Sequence, residues 1–171
     1  MIDQLLRYPA VLFDWGDTVM RDDPDSMVPM VEWPTIEVIE GVASVLEYVK
    51  SSGRRAILAT GAAISDEGQI RAALARGGLD GHFSRIFCFK NTHLPKGEAF
   101  YREILDRLDI PPTEALMVGD SFERDVQDAN AVGIYAVWFN PNSDENRSAN
   151  SHITVHSMQE LRAFLESLDQ K

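Results

Sequence analysis

Acidic side chains follow the ends of separate apolar runs in this sequence. Asp14 and Asp17 come directly after the first run, Asp120 ends a later one, and Asp125 lies five residues beyond Asp120. Carboxylates that are brought together repel one another. A hard divalent cation such as Mg²⁺ removes that repulsion, and Mg²⁺ prefers oxygen ligands. The pattern therefore predicts an acidic site that needs a cation.

Three further residues are suited to hold a phosphate group beside such a cation. Thr60 and Gly61 end a second apolar run, and Lys96 precedes a helical pattern between the second run and the later one. A hydroxyl group, an ammonium group and free backbone N–H groups all bind phosphate oxygens. These residues are the candidate phosphate contacts.

The elements that must position these residues are strands alternating with helices. Apolar runs predict strands at 10–13, 56–59, 85–89, 115–118, 134–139 and 153–155, and amphipathic stretches predict helices at 42–49, 65–76, 98–108, 122–132 and 157–168. Runs bounded by helices favour an α/β fold, a doubly wound parallel sheet with helices on both faces. Such sheets bind ligands beyond the carboxyl ends of their strands, where the polar residues lie.

One segment, residues 19–40, departs from this alternation. It contains Pro24, Pro29 and Pro34, which exclude a long helix. We expect an excursion from the end of the first strand that acts as a small flap. Its acidic run, at positions 22, 23 and 25, is interpreted as a solvated loop face.

Length and composition limit the classes of protein that fit. The 171 residues favour a single domain, 1–171. The 27 acidic against 16 basic residues give a net charge of −11, which disfavours nucleic acid and anionic membrane surfaces as partners. The single Cys88 excludes an intrachain disulfide and a cysteine-based zinc site, and fits a reducing compartment. The first twenty residues lack a signal-peptide run, so we expect a cytoplasmic protein.

In their order and position, these motifs resemble those of the haloacid dehalogenase-like hydrolases. Members of that family have an aspartate-rich first strand end, a Ser or Thr at the second, a Lys, and a Gly-Asp followed by a further acidic residue. The matching positions here are 14–18, 60, 96, and 119–120 with 125. Each motif alone is weak, but four in order are a strong signal. The resemblance covers roughly residues 8–168 and implies Mg²⁺-dependent hydrolysis of a phosphorylated substrate.

Carried onto matching positions, the resemblance implies a role for each residue. Asp14 is the nucleophile that attacks phosphorus and forms an aspartyl-phosphate. Mg²⁺ is bound by Asp14, the Gly16 carbonyl and Asp120, while Asp125 supports the metal site or the lysine. Thr60 donates its hydroxyl group to the transferring phosphoryl group.

Lys96 has a separate implied role, which is to neutralise negative charge on the nucleophile and on the phosphoryl oxygens. Its order relative to the neighbouring proline, Pro95-Lys96, reverses the usual one in the family. Gly61 is the further expected phosphate contact.

The sequence departs from the family pattern two residues after the nucleophile. Phosphatases of the family carry there a second Asp that protonates the leaving group and then activates water, whereas this chain has Gly16 and places an acid at Asp17. General acid–base help is worth about 10²–10⁴-fold. The sequence leaves three possibilities open: a weak phosphatase, one that uses Asp17 in an altered loop, or one that takes the acid from the substrate or another segment.

The spacing between motifs leaves no room for an inserted cap domain. Only 19–40 could cover the site, with the polar loop 141–151 as a second variable region. By resemblance, capless members act on large substrates or borrow a lid from a neighbouring subunit. The substrate is therefore a small molecule or a macromolecule, and a homo-oligomer is possible.

Two alternatives remain beside the phosphatase. One is a catalytically impaired domain that binds a phospho-ligand or a protein partner, because Gly16 removes an expected catalytic group. The other is a C–P or C–halogen hydrolase, which is disfavoured because the sequence offers no cap-borne lysine or arginine.

Overall fold

A single six-stranded parallel sheet forms the centre of the molecule. The computed structural model describes residues 5–170. The strands are β1 (Ala10–Phe13), β2 (Arg55–Ala59), β3 (Phe83–Phe87), β4 (Ala115–Gly119), β5 (Tyr135–Phe139) and β6 (His152–Val155), in the order β3-β2-β1-β4-β5-β6. All neighbouring pairs are parallel. The strand order reverses between β1 and β4, and ligands bind at such a point in open sheets of this kind.

Helices cover both faces of the sheet, as the sequence predicts. They are α1 (Val42–Ser51), α2 (Glu67–Arg76), α3 (Phe89–Thr92), α4 (Glu98–Leu108), α5 (Asp128–Ala131) and α6 (Met158–Asp169). Apolar side chains of α1, α2 and α6 belong to one buried cluster, and those of α4 and α5 belong to the other. The predicted doubly wound α/β fold is confirmed.

Strand β1 contributes side chains to both buried apolar clusters. Val11 and Phe13 belong to the cluster beneath α1, α2 and α6, and Ala10 and Leu12 belong to the cluster beneath α4 and α5. Successive side chains on a strand point to opposite faces. All four are fully buried, so the run is continuously apolar, as parallel strands covered on both faces are.

Two sequence predictions about element ends are wrong for local reasons. Helix α2 begins at Glu67 rather than at residue 65, because the Asp66 carboxylate accepts the backbone N–H of Gln69 in a capping box and so caps the helix there. Strand β3 ends at Phe87 rather than residue 89. The Asn91 side chain accepts the N–H of Cys88 and starts the short helix α3 there.

The predicted helix at 122–132 is two segments, a π-helical turn (Phe122–Gln127) followed by α5. Single π-helical turns are rare and often lie at functional sites. This one carries Asp125, which is buried.

The proline-containing segment 19–40 runs along one edge of the molecule without forming a separate domain. The Arg76 guanidinium at the end of α2 donates hydrogen bonds to the main-chain oxygens of Val31 (2.9 Å), Trp33 (2.7 Å) and Pro34 (3.3 Å). These contacts fasten the segment to α2. Between residues 5 and 170, no cap domain is inserted among the strands and helices of the sheet.

Among residues 5–170, no helix has the length and apolar character that crossing a membrane requires.

Candidate functional site

Three central strands bring the candidate site residues to one edge of the sheet. Asp14 follows β1, Thr60 follows β2 and Asp120 follows β4. Strand β1 pairs with both neighbours, and the Asp14 N–H extends the β1–β4 pairing by donating to the Val118 carbonyl at 2.9 Å. The side chains that follow these strands therefore converge at the carboxyl end of the sheet.

Lys96 lies between two carboxylates at this edge. Its Nζ is 2.9 Å from Asp14 Oδ1 and 2.5 Å from Asp125 Oδ1, and its side chain is only 3% exposed. Burial of charges is tolerated when they are paired in this way. The ammonium group therefore neutralises one negative charge and leaves the site acidic.

Asp125 is held in place by the main chain as well as by Lys96. Its Oδ2 accepts the backbone N–H of Ser121 at 2.9 Å. Gly119 makes this possible, because a side chain at position 119 would overlap with the Asp125 carboxylate. The Asp125 side chain is almost fully buried, so it contacts other residues of the site rather than solvent.

Asp120 is less buried and lies beside Asp14. The Thr18 hydroxyl donates to Asp120 Oδ1 at 3.3 Å, and the Trp138 indole N–H donates to the Asp120 carbonyl at 2.9 Å. Oxygen atoms of Asp14, Asp120 and Asp125 all lie within 4.8 Å of one another.

Thr60 and Gly61 form the opposite wall of a small cavity. The Thr60 hydroxyl oxygen accepts the Ala62 N–H at 3.1 Å, which leaves its hydrogen to donate. A Cβ at position 61 would lie 3.3 Å from the Cβ of Lys96, so glycine keeps this wall open. The cavity has a volume of about 190 Å³ and includes Asp14 and Lys96 in its lining.

The charges of the cluster shift the pKa values of its members in opposite directions. Burial opposes ionisation of Asp14, but the nearby Lys96 charge and hydrogen bonds lower its pKa below the usual value overall. Burial, hydrogen bonding to Asp14 and the charges of its neighbours raise the pKa of Asp120 to about 8. Burial also raises the pKa of Asp125 to about 6, against the effect of Lys96. The structure thus favours one ionised and one protonated carboxyl in the Asp14–Asp120 pair.

The donor set fits a magnesium ion. The close carboxylates supply hard oxygen ligands, and the raised pKa of Asp120 indicates the repulsion that a cation would relieve. Asp14 and Asp120 are placed to bind the ion, whereas Asp125 is already paired with Lys96.

The turn after β1 directs Asp17 away from this cavity. Three successive N–H groups, from Thr18 to Met20, donate to the Trp15 carbonyl, and Asp17 takes a left-handed backbone conformation with φ 59°. Its carboxylate accepts the backbone N–H of Asp22 at 3.1 Å. Asp17 lines a different cavity, together with Asp120.

Sequence reasoning missed two charged residues that line the Asp14 cavity, Asp22 and Arg124. Asp22 comes from the segment 19–40, and burial together with the charges of Asp17 and Asp14 raises its pKa, against a backbone hydrogen bond. Arg124 lies on the π-helical turn, with its guanidinium near Gly61. Neither residue belongs to a recognisable motif, so the sequence gives no signal for them and only the three-dimensional structure places them in the cavity.

A larger cavity, of about 500 Å³, lies at the opposite end of the sheet. Its lining includes Tyr8 and Pro9, which precede β1, and Gly133 and Ile134, which precede β5. The Asp14 cavity is smaller but contains the convergent charged groups, which makes it the candidate site.

Comparison with known proteins agrees with the geometry. A model of a haloacid dehalogenase-like hydrolase family matches residues 27–139, well over half of the chain. The match includes Thr60, Lys96, Asp120 and Asp125, and starts after Asp14.

Two curated relatives match part of the chain. Pyrimidine 5′-nucleotidase PynA of Streptococcus pneumoniae is 34% identical over 99 residues, which make up 56% of this chain and 40% of the relative. Ribulose-1,5-bisphosphate 5-phosphatase of Halopiger xanaduensis is 37% identical over 86 residues, 48% of this chain and 36% of the relative. The chain thus matches less than half the length of each.

A solved structure matches almost the whole chain. An uncharacterized protein from Listeria monocytogenes serotype 4b has a TM-score of 0.80 and is 26% identical, with 94% of this chain and 98% of that chain covered.

Proposed function

Because this chain belongs to the haloacid dehalogenase-like hydrolase family, we propose that it is a phosphatase that hydrolyses phosphate monoesters through an aspartyl-phosphate on Asp14. The observation that supports this most is the convergence of Asp14, Lys96 and the neighbouring carboxylates on one cavity. The names of the two curated relatives, a nucleotidase and a phosphatase, support a phosphate ester as substrate.

Asp14 is suited to act as the nucleophile. Its lowered pKa keeps the carboxylate ionised at neutral pH, and its side chain is 14% exposed at the cavity. The carboxylate attacks phosphorus, and the leaving oxygen departs as the new bond forms. Lys96, the Thr60 hydroxyl and the N–H groups near Gly61 then stabilise the phosphoryl oxygens.

Asp14, Asp120 and the Gly16 carbonyl are the groups that would hold Mg²⁺. When bound, the ion supplies positive charge to the phosphoryl oxygens and offsets the negative charge of the cluster. Asp125 positions Lys96, because the two side chains are paired and buried together.

The segment 19–40 is proposed to act as a fixed flap that selects the leaving group. A cavity of about 150 Å³ adjoins the Asp14 cavity and shares Asp22 and Ala62 with it. Its walls include Trp15 and Trp33, which offer apolar aromatic surface. A leaving group with an apolar or flat portion would bind there.

A chromogenic phosphate ester with Mg²⁺ or with EDTA tests the proposal. Phosphate release that depends on Mg²⁺ supports it. The alternative, a domain that binds a phospho-ligand without turnover, is favoured by the missing carboxylate at Gly16. Binding of beryllofluoride at Asp14 together with no phosphate release would support that alternative instead.

Stabilisation of the protein by Mg²⁺ should increase with pH. The raised pKa of Asp120 means that the metal-free folded state holds a proton that the unfolded chain releases. This group therefore favours folding below its unfolded pKa, and the contribution is lost as pH rises through about 4 to 8. Mg²⁺ must displace the same proton, so it binds better at higher pH.

Thermal denaturation with MgCl₂ and with EDTA measures this effect. We expect a larger Mg²⁺-dependent increase in Tm at about pH 8 than at about pH 6. In Asp120→Asn the increase should be small at both pH values. An equal increase at both pH values in the unchanged protein would contradict the prediction.

A further inference from the structure

Glycine occupies position 16, two residues after Asp14, because the Asp22 side chain leaves no room for a side chain there. Gly16 is not among the glycines with a positive φ, so a left-handed backbone is not what requires glycine there. A Cβ placed there would lie 3.0 Å from both Cβ and Oδ2 of Asp22. Real Cβ contacts are rarely that short. The Asp22 side chain thus fills the volume into which a side chain at position 16 would extend.

Both oxygens of Asp22 have defined surroundings. Oδ1 accepts the backbone N–H of Asp23 at 2.9 Å, while Oδ2 is the oxygen directed at Gly16. The residue lines the same cavity as Asp14 and Lys96 and is also exposed to solvent. Asp25, from the same acidic run, is not part of this lining.

The main chain around Asp22 is fixed on both sides. The Asp17 carboxylate accepts its N–H at 3.1 Å, and the Asp17 N–H donates to the Met20 carbonyl at 2.7 Å. The Arg21 N–H donates to the Glu37 carbonyl at 2.9 Å. These bonds hold the start of the segment 19–40 against the turn that follows β1.

We propose that Asp22 is the general acid–base of this site, supplied from the segment 19–40 in place of a carboxylate at position 16, and that Asp17 is its positioning residue. This inference rests on the proposed phosphatase function. The Asp22 side chain occupies the space beside Gly16, and the Asp17 carboxylate accepts the Asp22 N–H, so one arrangement explains both the glycine and the direction of Asp17.

The proton balance closes over the two half-reactions. As the bond between phosphorus and the leaving oxygen breaks, the Asp22 carboxyl group gives its proton to that oxygen, and Asp14 becomes the aspartyl-phosphate. Water then attacks phosphorus while the Asp22 carboxylate takes one of its protons. The Asp14–phosphorus bond breaks, phosphate leaves, and both side chains return to their starting states.

Asp22→Asn tests this role with two substrates. Turnover of an alkyl phosphate, whose leaving group needs a proton, should fall by about 10²–10⁴-fold. With p-nitrophenyl phosphate, whose leaving group departs unprotonated, one equivalent of nitrophenolate should appear rapidly before slow turnover. The matched control Asp25→Asn should behave as the unchanged protein. Unaltered alkyl phosphate turnover in Asp22→Asn would overturn the inference.

Moving the carboxylate from position 22 to position 16 should restore phosphatase activity that Asp22→Gly removes. In the double variant Asp22→Gly with Gly16→Asp, the carboxylate moves to position 16 and the space it needs becomes vacant. Glycine is required at position 22, because the Asp22 Cβ itself causes the close approach. We expect alkyl phosphate turnover well above that of Asp22→Gly alone. If the folded double variant turns over alkyl phosphate no faster than Asp22→Gly, the Asp22 carboxylate does not act in place of one at position 16.

Two variants of Asp17 separate positioning from proton transfer. Asp17→Asn keeps an oxygen that accepts the Asp22 N–H and suits the left-handed backbone, so alkyl phosphate turnover should be retained. Asp17→Gly also tolerates that backbone but removes the acceptor, so turnover should fall while the rapid nitrophenolate release remains. A severe loss in Asp17→Asn would show that Asp17 itself transfers the proton and would overturn the assignment.

Different results would contradict the phosphatase activity and the role of Asp22. If the unchanged protein releases no phosphate with Mg²⁺, the phosphatase proposal falls and this inference with it. If Asp14→Asn abolishes release while Asp22→Asn does not impair it, only the assignment of Asp22 falls.

Discussion

Asp14→Asn should reduce Mg²⁺-dependent phosphate release by more than about 10³-fold, because Asp14 supplies the carboxylate that attacks phosphorus in the proposed mechanism. The amide is nearly isosteric with the carboxylate but is a poor nucleophile. Phosphate release from an ester and covalent labelling of the chain by a ³²P-labelled substrate would both measure the effect. We expect both signals to disappear together.

Asp106→Asn is the matched control for this variant, since Asp106 is exposed on α4 and outside the cavity. It should retain full release and full labelling. Turnover in Asp14→Asn close to that of the control would remove the aspartyl-phosphate from the mechanism. Circular dichroism of both variants would exclude unfolding as the cause of a loss.

Lys96→Met should impair both activity and stability. The ammonium group is buried between Asp14 and Asp125, so its removal leaves two carboxylates without a counter-charge. Breaking a buried pair in this way costs about 3–5 kcal/mol of unfolding free energy. Loss of charge stabilisation at the phosphoryl oxygens costs about 10²–10³-fold in turnover. Urea denaturation and ester hydrolysis measure the two effects.

The stability loss in Lys96→Met should depend on pH with a definite sign. Without the ammonium group the pKa values of Asp14 and Asp125 rise, so the folded variant takes up protons as pH falls. The stability difference from the unchanged protein should therefore shrink on acidification. Lys90→Met, at an exposed position on α3, should show no such loss. A pH-independent difference would show that packing of the side chain, rather than its charge, is the cause.

The sequence predicted the convergence of Asp14, Thr60 and Asp120 because it depends on local patterns. Each residue follows a short apolar run, and parallel strands place their carboxyl ends at a common edge. The runs are apolar on both faces, which marks them as central strands. Lys96 follows from the same topology, since it precedes the helix that crosses back from β3 to β4.

The position of Asp22 could not be predicted, because it depends on contacts far apart in sequence. The segment that carries it has no periodic pattern, and its course is set by Arg76 and by the Arg21–Glu37 main-chain contact. Arg124 was missed because it belongs to no motif and lies on a π-helical turn, where the sequence predicted a regular helix. A left-handed conformation at Asp17 likewise has no signature in a sequence without glycine at that position.

The hydrogen bonds that fasten the segment 19–40 to α2 use only main-chain acceptors on the segment itself. Arg76 binds the carbonyl oxygens of Val31, Trp33 and Pro34, and such bonds do not distinguish one side chain from another. Exposed residues such as Met27 and Val28 can therefore be exchanged during evolution, or by a protein engineer, while the buried Met20 and Met30 keep the segment packed against the core. The exposed side chains of this stretch are therefore a natural place to vary selectivity.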